Sequence, residues 1–425
     1  MRVLITGINY APEQTGNAPY TTGLAEYLAD QGYDVTVVTG MPYYPEWSVP
    51  AEYRYRLRAT EERRSVRLKR LRTYVPSRQT AVHRLGFELG FYLNGFLAPR
   101  LGVTPDVVLG IVPSLGGAGL AASYARRFRV PYGLVFQDLV GAAASQSGMP
   151  GGGKVAKLVQ RIECQLARNA SQVAVISEGF KPYLATGGVE PSRICHLRNW
   201  THISSPTLPR DETRRSLGWT NDDVILLHAG AMGLKQGLES AVDAARLAKD
   251  TLPKVRFVFM GDGNQRRMLE ERAKGLQNVT FMPPIGSDEF PEVLAAADML
   301  LINERHSLRD MALPSKLTSY LVAGRPIIAA VAPDGWTARE VRRTGAGTVV
   351  PAGKPESLVS AVRHLVEHPE AARALACAGP AYAQSTLRSD VVLSQYVDFI
   401  HRIRDPAAAA MHQDVRVRVH KGVEA

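Results

Sequence analysis

The same succession of elements occurs twice along the chain, and it constrains the fold more than any other feature. Arg2 to Gly7 (RVLITG) and Val224 to His228 (VILLH) are apolar runs typical of buried strands. Each run is followed by a glycine-containing loop and then by a segment with helical spacing. Strands that alternate with helices in this way predict a parallel sheet with helical crossovers. The sequence therefore predicts an α/β protein with two doubly wound domains.

The domain limits follow from the changes in composition along the chain. A length of 425 residues exceeds what one core usually holds, and the stretch 201–211 is rich in Ser, Thr and Pro, as linkers are. The expected parts are an N-terminal Rossmann-like domain at 1–203, a C-terminal Rossmann-like domain at 212–385, a helix at 386–404 and a disordered tail at 405–425. The sequence leaves open whether the helix crosses back to the first domain. Because ligands bind at the carboxyl ends of strands, we expect the two domains to face a central cleft.

The composition is that of a cytoplasmic globular protein. Hydrophobic residues make up 45% of the chain and charged residues 21%, and no apolar run is long enough to span a bilayer. The N-terminal MRVLITGINY lacks the cleavage site of a signal peptide. The three cysteines, Cys164, Cys195 and Cys377, form no CxxC pair, which suits a reducing compartment and excludes a zinc ribbon or a disulfide framework.

Positive charge is concentrated in one stretch of the first half. The net charge is +11, and nine lysines and arginines lie at 54–72, against Glu61 and Glu62. This stretch is either a solvated loop or a patch that faces anionic lipid or a diphosphate. The aromatic-rich segment 85–101 has helical spacing and fits a buried helix first and an interfacial helix second. No nucleic-acid-binding motif accompanies the charge, so nucleic acid is not expected as a partner.

A second informative stretch runs from Asp310 to Ile328, DMALPSKLTSYLVAGRPII. It reads as a turn, a helix capped by Ser315 and ended by Gly324, and a buried strand. Lys316 is a cation in the first helical turn, where the macrodipole disfavours it unless an anion binds. A lone lysine there fits a solvated side chain better. A second lysine, Lys235, in the glycine-rich loop AGAMGLKQG, makes phosphate binding the better interpretation.

Six stretches jointly match one protein family. They are GINYAPEQTG (7–16), MPYYPEW (41–47), RNW (198–200), GLKQGLE (233–239), GDG (261–263) and LPSKLTSYLVAG (313–324). With them the chain resembles the retaining glycosyltransferases of family 4, which have the GT-B fold, and most of all their colanic acid and exopolysaccharide group. The resemblance implies an acceptor domain followed by a nucleotide-sugar domain. It further implies transfer of a hexose from a UDP- or GDP-sugar with retention of anomeric configuration, without a metal or another cofactor.

The resemblance also implies which residues carry the chemistry. Lys235 and Lys316 would neutralise the leaving diphosphate. Asp138 would lie near the acceptor, behind Gln137, which replaces the histidine of many relatives. The expected donor contacts are Gly16, Gly230, Gly233, Gly261, Asp262, Gly263, Asp310, Leu313, Pro314, Ser315 and Ser319. The expected acceptor contacts are Tyr10, Glu13, Thr15, Tyr43, Tyr44 and Asn199.

The chain departs from the family pattern at the donor site. Met311 and Ser319 stand where many relatives carry two glutamates, Ala231 stands in place of an arginine, and Asp310 is a candidate substitute for the missing carboxylate. Two alternatives therefore stay open, a catalytically degenerate nucleotide-binding protein and a sugar-nucleotide 2-epimerase. A nicotinamide oxidoreductase fits worse, because no GxGxxG follows either opening strand.

The sequence allows several classes of acceptor. The basic stretch and the aromatic segment suit a polyprenyl-diphosphate-linked sugar at the inner face of the cell membrane. A glycan or a small-molecule acceptor is the alternative. We accordingly expect a cytoplasmic protein for which peripheral contact with the anionic inner membrane is an open question.

Overall fold

Two units of α/β structure make up the part of the chain that the computed structural model describes. The described residues are 1–14, 16–44, 46–76, 80–98, 101–102, 104–141, 152–307 and 316–405. Unit 1 comprises Met1–Asn199 together with the chain from Asp390 onward, and unit 2 comprises Trp200–Ser389.

Unit 1 is built on an eight-stranded sheet. Its strands are β1 (Arg2–Thr6), β2 (Asp34–Gly40), β3 (Arg58–Arg63), β4 (Val66–Leu71), β5 (Val107–Val112), β6 (Tyr132–Phe136), β7 (Gln172–Val175) and β8 (Ile194–His196). Its helices before the linker are α1 (Ala18–Asp30), α2 (Ala81–Phe96), α3 (Leu115–Phe128), α4 (Gly152–Asn169) and α5 (Phe180–Thr186). The strand order is β3-β4-β2-β1-β5-β6-β7-β8, parallel throughout except between β3 and β4. The order reverses between β1 and β5, where doubly wound folds bind ligands.

The basic stretch forms a β-hairpin at the edge of this sheet, which corrects the interpretation of it as a loop. β3 and β4 pair antiparallel and are joined at Arg64 and Ser65, both of which have positive φ. Val66, Leu68 and Arg70 of β4 are buried, while Arg67 and Lys69 alternate outward. The guanidinium of Arg70 is paired with Glu61 and donates to the carbonyl of Ala11. The alternation in VRLKRL indicates a strand, and the density of charge hides it.

Unit 2 is built on a six-stranded sheet that is parallel throughout. Its strands are β9 (Val224–Ala229), β10 (Val255–Met260), β11 (Val279–Met282), β12 (Met299–Asn303), β13 (Ile327–Val331) and β14 (Gly347–Pro351). Its helices are α6 (Arg210–Ser216), α7 (Glu239–Ala248), α8 (Arg266–Arg272), α9 (Phe290–Ala296), α10 (Lys316–Val322), α11 (Trp336–Thr344), α12 (Pro355–Glu367) and α13 (Pro369–Thr386).

The strand order of unit 2 is β11-β10-β9-β12-β13-β14, which is the order of a doubly wound dinucleotide-type fold. β12 and β13 are buried along their whole length, as expected for central strands of a parallel sheet covered on both faces. The order reverses between β9 and β12, so their carboxyl ends mark the expected ligand site. The predicted α/β fold with two parallel-sheet domains is confirmed.

The C-terminal helix α14 (Ser389–Arg404) belongs to unit 1 from Asp390 onward. Its buried residues are Val392, Leu393, Tyr396, Phe399, Ile400 and Ile403. A Cβ at Gly133 in β6 would overlap Cδ1 of Ile403, so the glycine makes room for the helix. The hydroxyl of Tyr33 lies 2.9 Å from Nε2 of His401 and ties α14 to the start of β2.

Candidate functional site

Two glycine-rich loops lie against each other at the carboxyl ends of β9 and β10. The N–H of Met232 donates to the carbonyl of Asp262 at 2.8 Å. Gly261 and Gly263 have φ values of 135° and 156°, and a Cβ at either would overlap the backbone of Gly230 or Met232. Only glycine allows this approach of two backbones. The predicted donor loops are therefore joined into one surface.

Lys235 lies in the loop after β9, which is held beside the end of β12. The carbonyl of Lys235 accepts a hydrogen bond from the N–H of Arg305 at 3.0 Å. Nδ2 of Asn303 donates to the carbonyls of Gln236 and Gly237 at 2.7 and 2.9 Å. The Lys235 side chain itself is exposed. Backbone contacts thus fix the loop and leave its ammonium group available at the carboxyl edge of the sheet.

Lys316 begins α10, and its side chain reaches back over the end of β9. Its Nζ lies 3.3 Å from Nε2 of His228 and 3.7 Å from the position that a Cβ would take at Gly230. His228 is fully buried, and burial together with the Lys316 charge holds the pKa of its imidazole well below the ordinary value. An ammonium group can only donate, so the neutral ring accepts this hydrogen bond in the tautomer that carries its proton on Nδ1. In the other tautomer Nε2 donates to the carbonyl of Ala231, which lies 3.3 Å away. His228 therefore positions Lys316 beside the glycine loops.

Glu304 is a carboxylate in the same group of residues. Burial raises its pKa to about 7, although the Thr337 hydroxyl and the charges of Lys316 and Lys235 oppose this rise. Burial lowers the pKa of Lys316 to about 7, and Glu304 opposes that fall. Because both pKa values are about 7, a small change in pH alters the charges of Glu304 and Lys316 at the carboxyl edge of the sheet. An anion bound beside Lys316 would favour its ammonium form.

Helix α10 is held to the sheet by Tyr320, whose buried hydroxyl accepts a hydrogen bond from the N–H of Ala229 at 2.8 Å. Ser319, a predicted donor contact, is buried in the same helix. Gly324 follows the helix with a φ of 63°, as predicted for a C-terminal glycine. In the donor site and its departures, five residues lie outside the described residues, namely Asp310, Met311, Leu313, Pro314 and Ser315.

The structure brings most of the described donor residues together. Gly230 and the loop 261–263 meet at one edge with Lys316. The N–H of Gly233 donates to Oε1 of Gln236 at 3.0 Å, and Oδ1 of Asp262 accepts from the N–H of Gly263 at 2.7 Å. These bonds shape the loops and do not involve a ligand. Sequence motifs missed His228, Glu304, Thr337 and Tyr320. Glu304 directly follows the apolar strand β12 and could have been found from that position.

In unit 1, Glu13 connects the loops that follow β1 and β2. Its Oε1 accepts hydrogen bonds from the N–H groups of Tyr43 and Tyr44, both at 2.9 Å, and its Oε2 accepts one from Nδ2 of Asn9 at 2.8 Å. Burial raises the pKa of Glu13, while these hydrogen bonds oppose the rise. The carboxylate is occupied by three protein donors. Glu13 therefore positions the two tyrosines, and a direct contact with an acceptor is the weaker interpretation.

An aromatic group adjoins this carboxylate. The ring centroid of Tyr43 lies 5.3 Å from that of Trp47 and 5.0 Å from that of Phe87, in edge-on arrangements. The Tyr43 hydroxyl accepts from Asn9 at 3.2 Å, and a Cβ at Gly16 would lie 3.6 Å from the Tyr44 ring. Gly16 thus lies with the predicted acceptor residues within unit 1. Aromatic rings beside a few polar groups are typical of pockets for small polar ligands.

The other residues predicted to contact the acceptor do not lie in one group. Nδ2 of Asn199 donates to Oε1 of Gln137 at 2.7 Å, which brings the RNW stretch to the end of β6. Oδ1 of Asp138 accepts from the next backbone N–H at 2.8 Å. Tyr10 is 1% exposed, so its side chain lies in the interior of unit 1. Thr15 lies outside the described residues.

Sequence reasoning missed a further carboxylate in unit 1. Oε2 of Glu88 in α2 accepts hydrogen bonds from Oγ of Ser114 at 2.9 Å and from the N–H of Gly116 at 2.8 Å, at the start of α3. Burial raises its pKa to about 7. Glu88 therefore fastens α2 to α3 near the carboxyl end of β5. Within the described residues, no group of three or more His, Cys, Asp or Glu side chains could hold a metal ion.

The two α/β units have the fold class of GT-B structures. Sucrose-phosphate synthase from Thermosynechococcus elongatus superposes with a TM-score of 0.73 at 17% identity, over 95% of this chain and 98% of that chain. Anabaena HepE in complex with UDP-glucose superposes with a TM-score of 0.69 at 16% identity, over 94% and 99%. At these identities the likeness shows the fold alone.

The family follows from the sequence comparisons. The family model described as a glycosyl transferase 4-like domain matches residues 15–200, and that of glycosyl transferases group 1 matches residues 209–381. WcaI of Escherichia coli (strain K12), named as a colanic acid biosynthesis glycosyl transferase, is 32% identical over 94% of this chain and 100% of its own length. The chain belongs to this glycosyltransferase family, and the predicted resemblance is confirmed.

Proposed function

We propose that the protein transfers a hexose from a nucleotide sugar to a surface-polysaccharide precursor and retains the anomeric configuration. The observation that carries the proposal is the position of Lys316, held by His228 beside the joined glycine loops. This position is at the carboxyl ends of β9 and β12, where the strand order reverses. The complex of HepE with UDP-glucose supports a nucleotide-sugar donor, and the name of WcaI supports a role in exopolysaccharide biosynthesis.

In this proposal unit 2 holds the donor diphosphate. The ammonium groups of Lys316 and Lys235 neutralise the charge that develops on the leaving diphosphate as the glycosidic bond breaks. The protein supplies this stabilisation from fixed positions, so little reorganisation is needed when the bond breaks. No metal is required by this arrangement.

Retention follows from a front-face transfer. The acceptor hydroxyl attacks from the side of the leaving group and loses its proton to an oxygen of the leaving diphosphate, while the anomeric carbon keeps its configuration. Asp138, at the end of β6, is proposed to orient the acceptor. The anomeric configuration of the product, measured by the proton coupling constant at the new linkage, tests this part. An inverted product would contradict it.

The donor is tested first by a thermal-shift screen against UDP, GDP, dTDP and CMP, because a ligand that binds the native state raises its apparent stability. The protein is then incubated with the sugar nucleotides of the base that binds. A transferase releases free nucleotide, and Lys316→Ala slows the release. Binding without release over long incubation would indicate the catalytically degenerate protein. Appearance of an epimeric sugar nucleotide would indicate the 2-epimerase.

The acceptor is proposed to be a polyprenyl-diphosphate-linked sugar at the inner membrane face. Support comes from α2, which the sequence interpretation placed first as a buried helix. Phe87 and Phe91 on one face of α2 are buried in the core of unit 1. The opposite face is apolar and exposed, with exposed fractions from 38% at Leu85 to 73% at Val82. The helix is therefore buried on one side only.

Exposed apolar and basic residues of unit 1 adjoin along α2, and we call them the apolar–basic surface. Its apolar residues are Tyr55, Leu57, Tyr74, Val82, Leu85, Leu89, Leu93, Phe96 and Leu97. Its arginines are the exposed Arg54, Arg56, Arg58 and Arg84 and the half-buried Arg72. The ring of Tyr74 stacks on that of His83, and Asn94 of α2 donates to the carbonyl of Arg72. These contacts bring the segments of the surface together.

An anionic bilayer fits this surface. Apolar side chains partition into the lipid interface, and each arginine near an anionic surface adds about 1 kcal/mol of attraction. Among the described residues, none of the helices has the length and apolarity needed to cross a bilayer. The proposed contact is therefore peripheral, with the polyprenyl chain in the membrane and the protein on its cytoplasmic side.

Co-sedimentation with vesicles of phosphatidylglycerol and phosphatidylcholine tests the contact. We expect binding that weakens as salt rises and that falls at least tenfold in Leu89→Glu/Leu93→Glu, because two apolar contacts of roughly 1.5–3 kcal/mol each are lost. Leu247→Glu is the matched control, because Leu247 is 47% exposed in unit 2. Absence of binding at low ionic strength, or equal loss in the control, would favour a soluble acceptor.

A further inference from the structure

Glu304 is a carboxylate in a site otherwise suited to an anion. It follows β12 directly, at the point where the strand order of unit 2 reverses. Its backbone N–H donates to the carbonyl of Ala330 at 3.0 Å. Its Oε1 accepts a hydrogen bond from Oγ1 of Thr337 at 3.1 Å. Thr337 is itself buried in the first turn of α11, so both the backbone and the carboxylate of Glu304 are held in place.

Charge compensation of the two lysines does not account for this carboxylate. Nζ of Lys316 is hydrogen-bonded to His228, and the Lys235 side chain extends into solvent. Neither lysine forms an ion pair with Glu304 at 4 Å or less, although both lie close enough for their charges to act on its titration. A carboxylate placed only to neutralise them would contact one of them directly.

The chemistry of a nucleotide sugar supplies a role for Glu304. A carboxylate repels the diphosphate, but it is a strong hydrogen-bond acceptor for the neutral hydroxyl groups that flank the diphosphate on either side. Ser319, the position where a donor contact was expected, is buried within α10. We infer that Glu304 binds a hydroxyl pair of the donor, on the ribose or on the hexose, and that Thr337 positions it. This inference rests on the proposed function.

Binding measurements with three probes test the inference. Isothermal titration would compare wild-type protein, Glu304→Ala and Glu304→Gln with UDP, UDP-glucose and inorganic diphosphate, or with GDP and GDP-mannose if the protein prefers guanine. We expect Glu304→Ala to weaken nucleotide binding about ten- to hundred-fold, the range for a hydrogen bond to a charged group. Glu304→Gln should lose less nucleotide affinity, because its amide oxygen still accepts a hydrogen bond. Binding of inorganic diphosphate should stay equal or become tighter.

The probes also separate the two sources of the hydroxyl pair. Equal weakening of UDP and UDP-glucose assigns Glu304 to the ribose, and weakening of UDP-glucose alone assigns it to the hexose. If inorganic diphosphate is weakened as much as the nucleotides, or if no probe is affected, the inference is wrong. If the wild-type protein binds no nucleotide, the proposed function fails as well.

Two further variants distinguish a lost contact with the ligand from a general loss of folding. Thr337→Val removes the hydroxyl that holds Glu304 and should give the same pattern among the probes with a smaller loss. Asp222→Asn removes an exposed carboxylate before β9, at the opposite edge of the sheet, and should change none of the affinities. Melting without ligand shows whether each variant is folded. A Thr337→Val protein that binds every probe as the wild type does would contradict the positioning role.

Discussion

At the scale of single residues, Lys316 owes its properties to its neighbours. A lysine in the first turn of a seven-residue helix is common on protein surfaces, but this one lies over the end of β9 with a buried imidazole as its acceptor. The cost of burial is a pKa lowered to about 7. Its charge thus depends on what else occupies the site, and a bound diphosphate would restore it.

We expect Lys316→Ala to reduce turnover by about 2–4 kcal/mol of transition-state stabilisation, because one charge-stabilising donor is removed. Steady-state release of nucleotide measures the effect. Lys249→Ala is the control, since Lys249 is an exposed lysine of unit 2 beside Asp250. A folded Lys316→Ala protein with the turnover of the control would exclude Lys316 from the mechanism.

The lowered pKa of Lys316 predicts that donor affinity depends on pH. The ammonium form is populated below about pH 7 and lost above it, so the affinity for UDP-glucose should fall as pH rises from 6 to 9. The diphosphate diester has no titrating proton in this range. The other groups that face Lys316 are His228, which stays neutral, and Glu304, whose pKa is raised to about 7.

Titration calorimetry at several pH values measures this dependence. Lys316→Arg keeps its charge throughout and should give a flatter profile, while Glu304→Gln shows how much of the profile belongs to the neighbouring carboxylate. A wild-type affinity that is constant or that rises between pH 6 and 9 would show that Lys316 remains charged without ligand.

At the scale of elements, the joined glycine loops of unit 2 depend on the absence of two Cβ atoms. The loops after β9 and β10 belong to different crossovers, yet they share hydrogen bonds at 2.8 Å and approach within van der Waals contact. The shape of the donor surface is therefore set largely by backbone, and the side chains of Lys235, Lys316 and Glu304 add charge to it.

We expect Gly261→Ala to lower the free energy of unfolding by roughly 1–3 kcal/mol or more, because it combines strain at a φ of 135° with a clash against the carbonyl of Gly230. Chemical denaturation measures it, and donor affinity should fall in parallel. Gly286→Ala is the matched control, since a Cβ there meets nothing within 4 Å. Equal stability of the two variants would show that the loops can separate at little cost.

The elements also show how far the sequence alone reaches. Strands, crossovers and the helix of Lys316 were predictable because apolar periodicity and glycine positions carry local information. The β3–β4 hairpin was missed because charge masked its alternation. An interfacial α2 was only the second interpretation, because periodicity does not reveal whether an apolar face is covered. Glu304 and His228 were missed for a related reason. Their roles depend on strands that are neighbours in the sheet but distant in the chain.

At the scale of the whole molecule, the division into two units predicts where a nucleotide acts. We expect UDP or GDP to slow amide hydrogen exchange in the loops after β9, β10 and β12 of unit 2 and to leave the loops after β1 and β2 of unit 1 unchanged. Exchange should slow in these loops because the bound diphosphate orders their backbone amide groups. Exchange measured by mass spectrometry with and without nucleotide provides the comparison.

Inorganic phosphate at the same concentration is the control for that experiment, because it lacks the nucleoside and should protect fewer amides. Protection that appears first in unit 1 would place the nucleotide in the other unit and would contradict the proposed roles of Lys235 and Lys316.

The C-terminal helix has a consequence for how the molecule is made. Helix α14 supplies six buried side chains to unit 1, among them Ile403 against β6. On the ribosome, unit 1 must therefore wait for a helix that is synthesised after all of unit 2, while unit 2, which is continuous, can fold before it. A premature stop before Asp390 would spare every residue of unit 2 and yet leave unit 1 with an uncovered apolar face. Nascent unit 1 should accordingly be the part of this protein that chaperones hold longest.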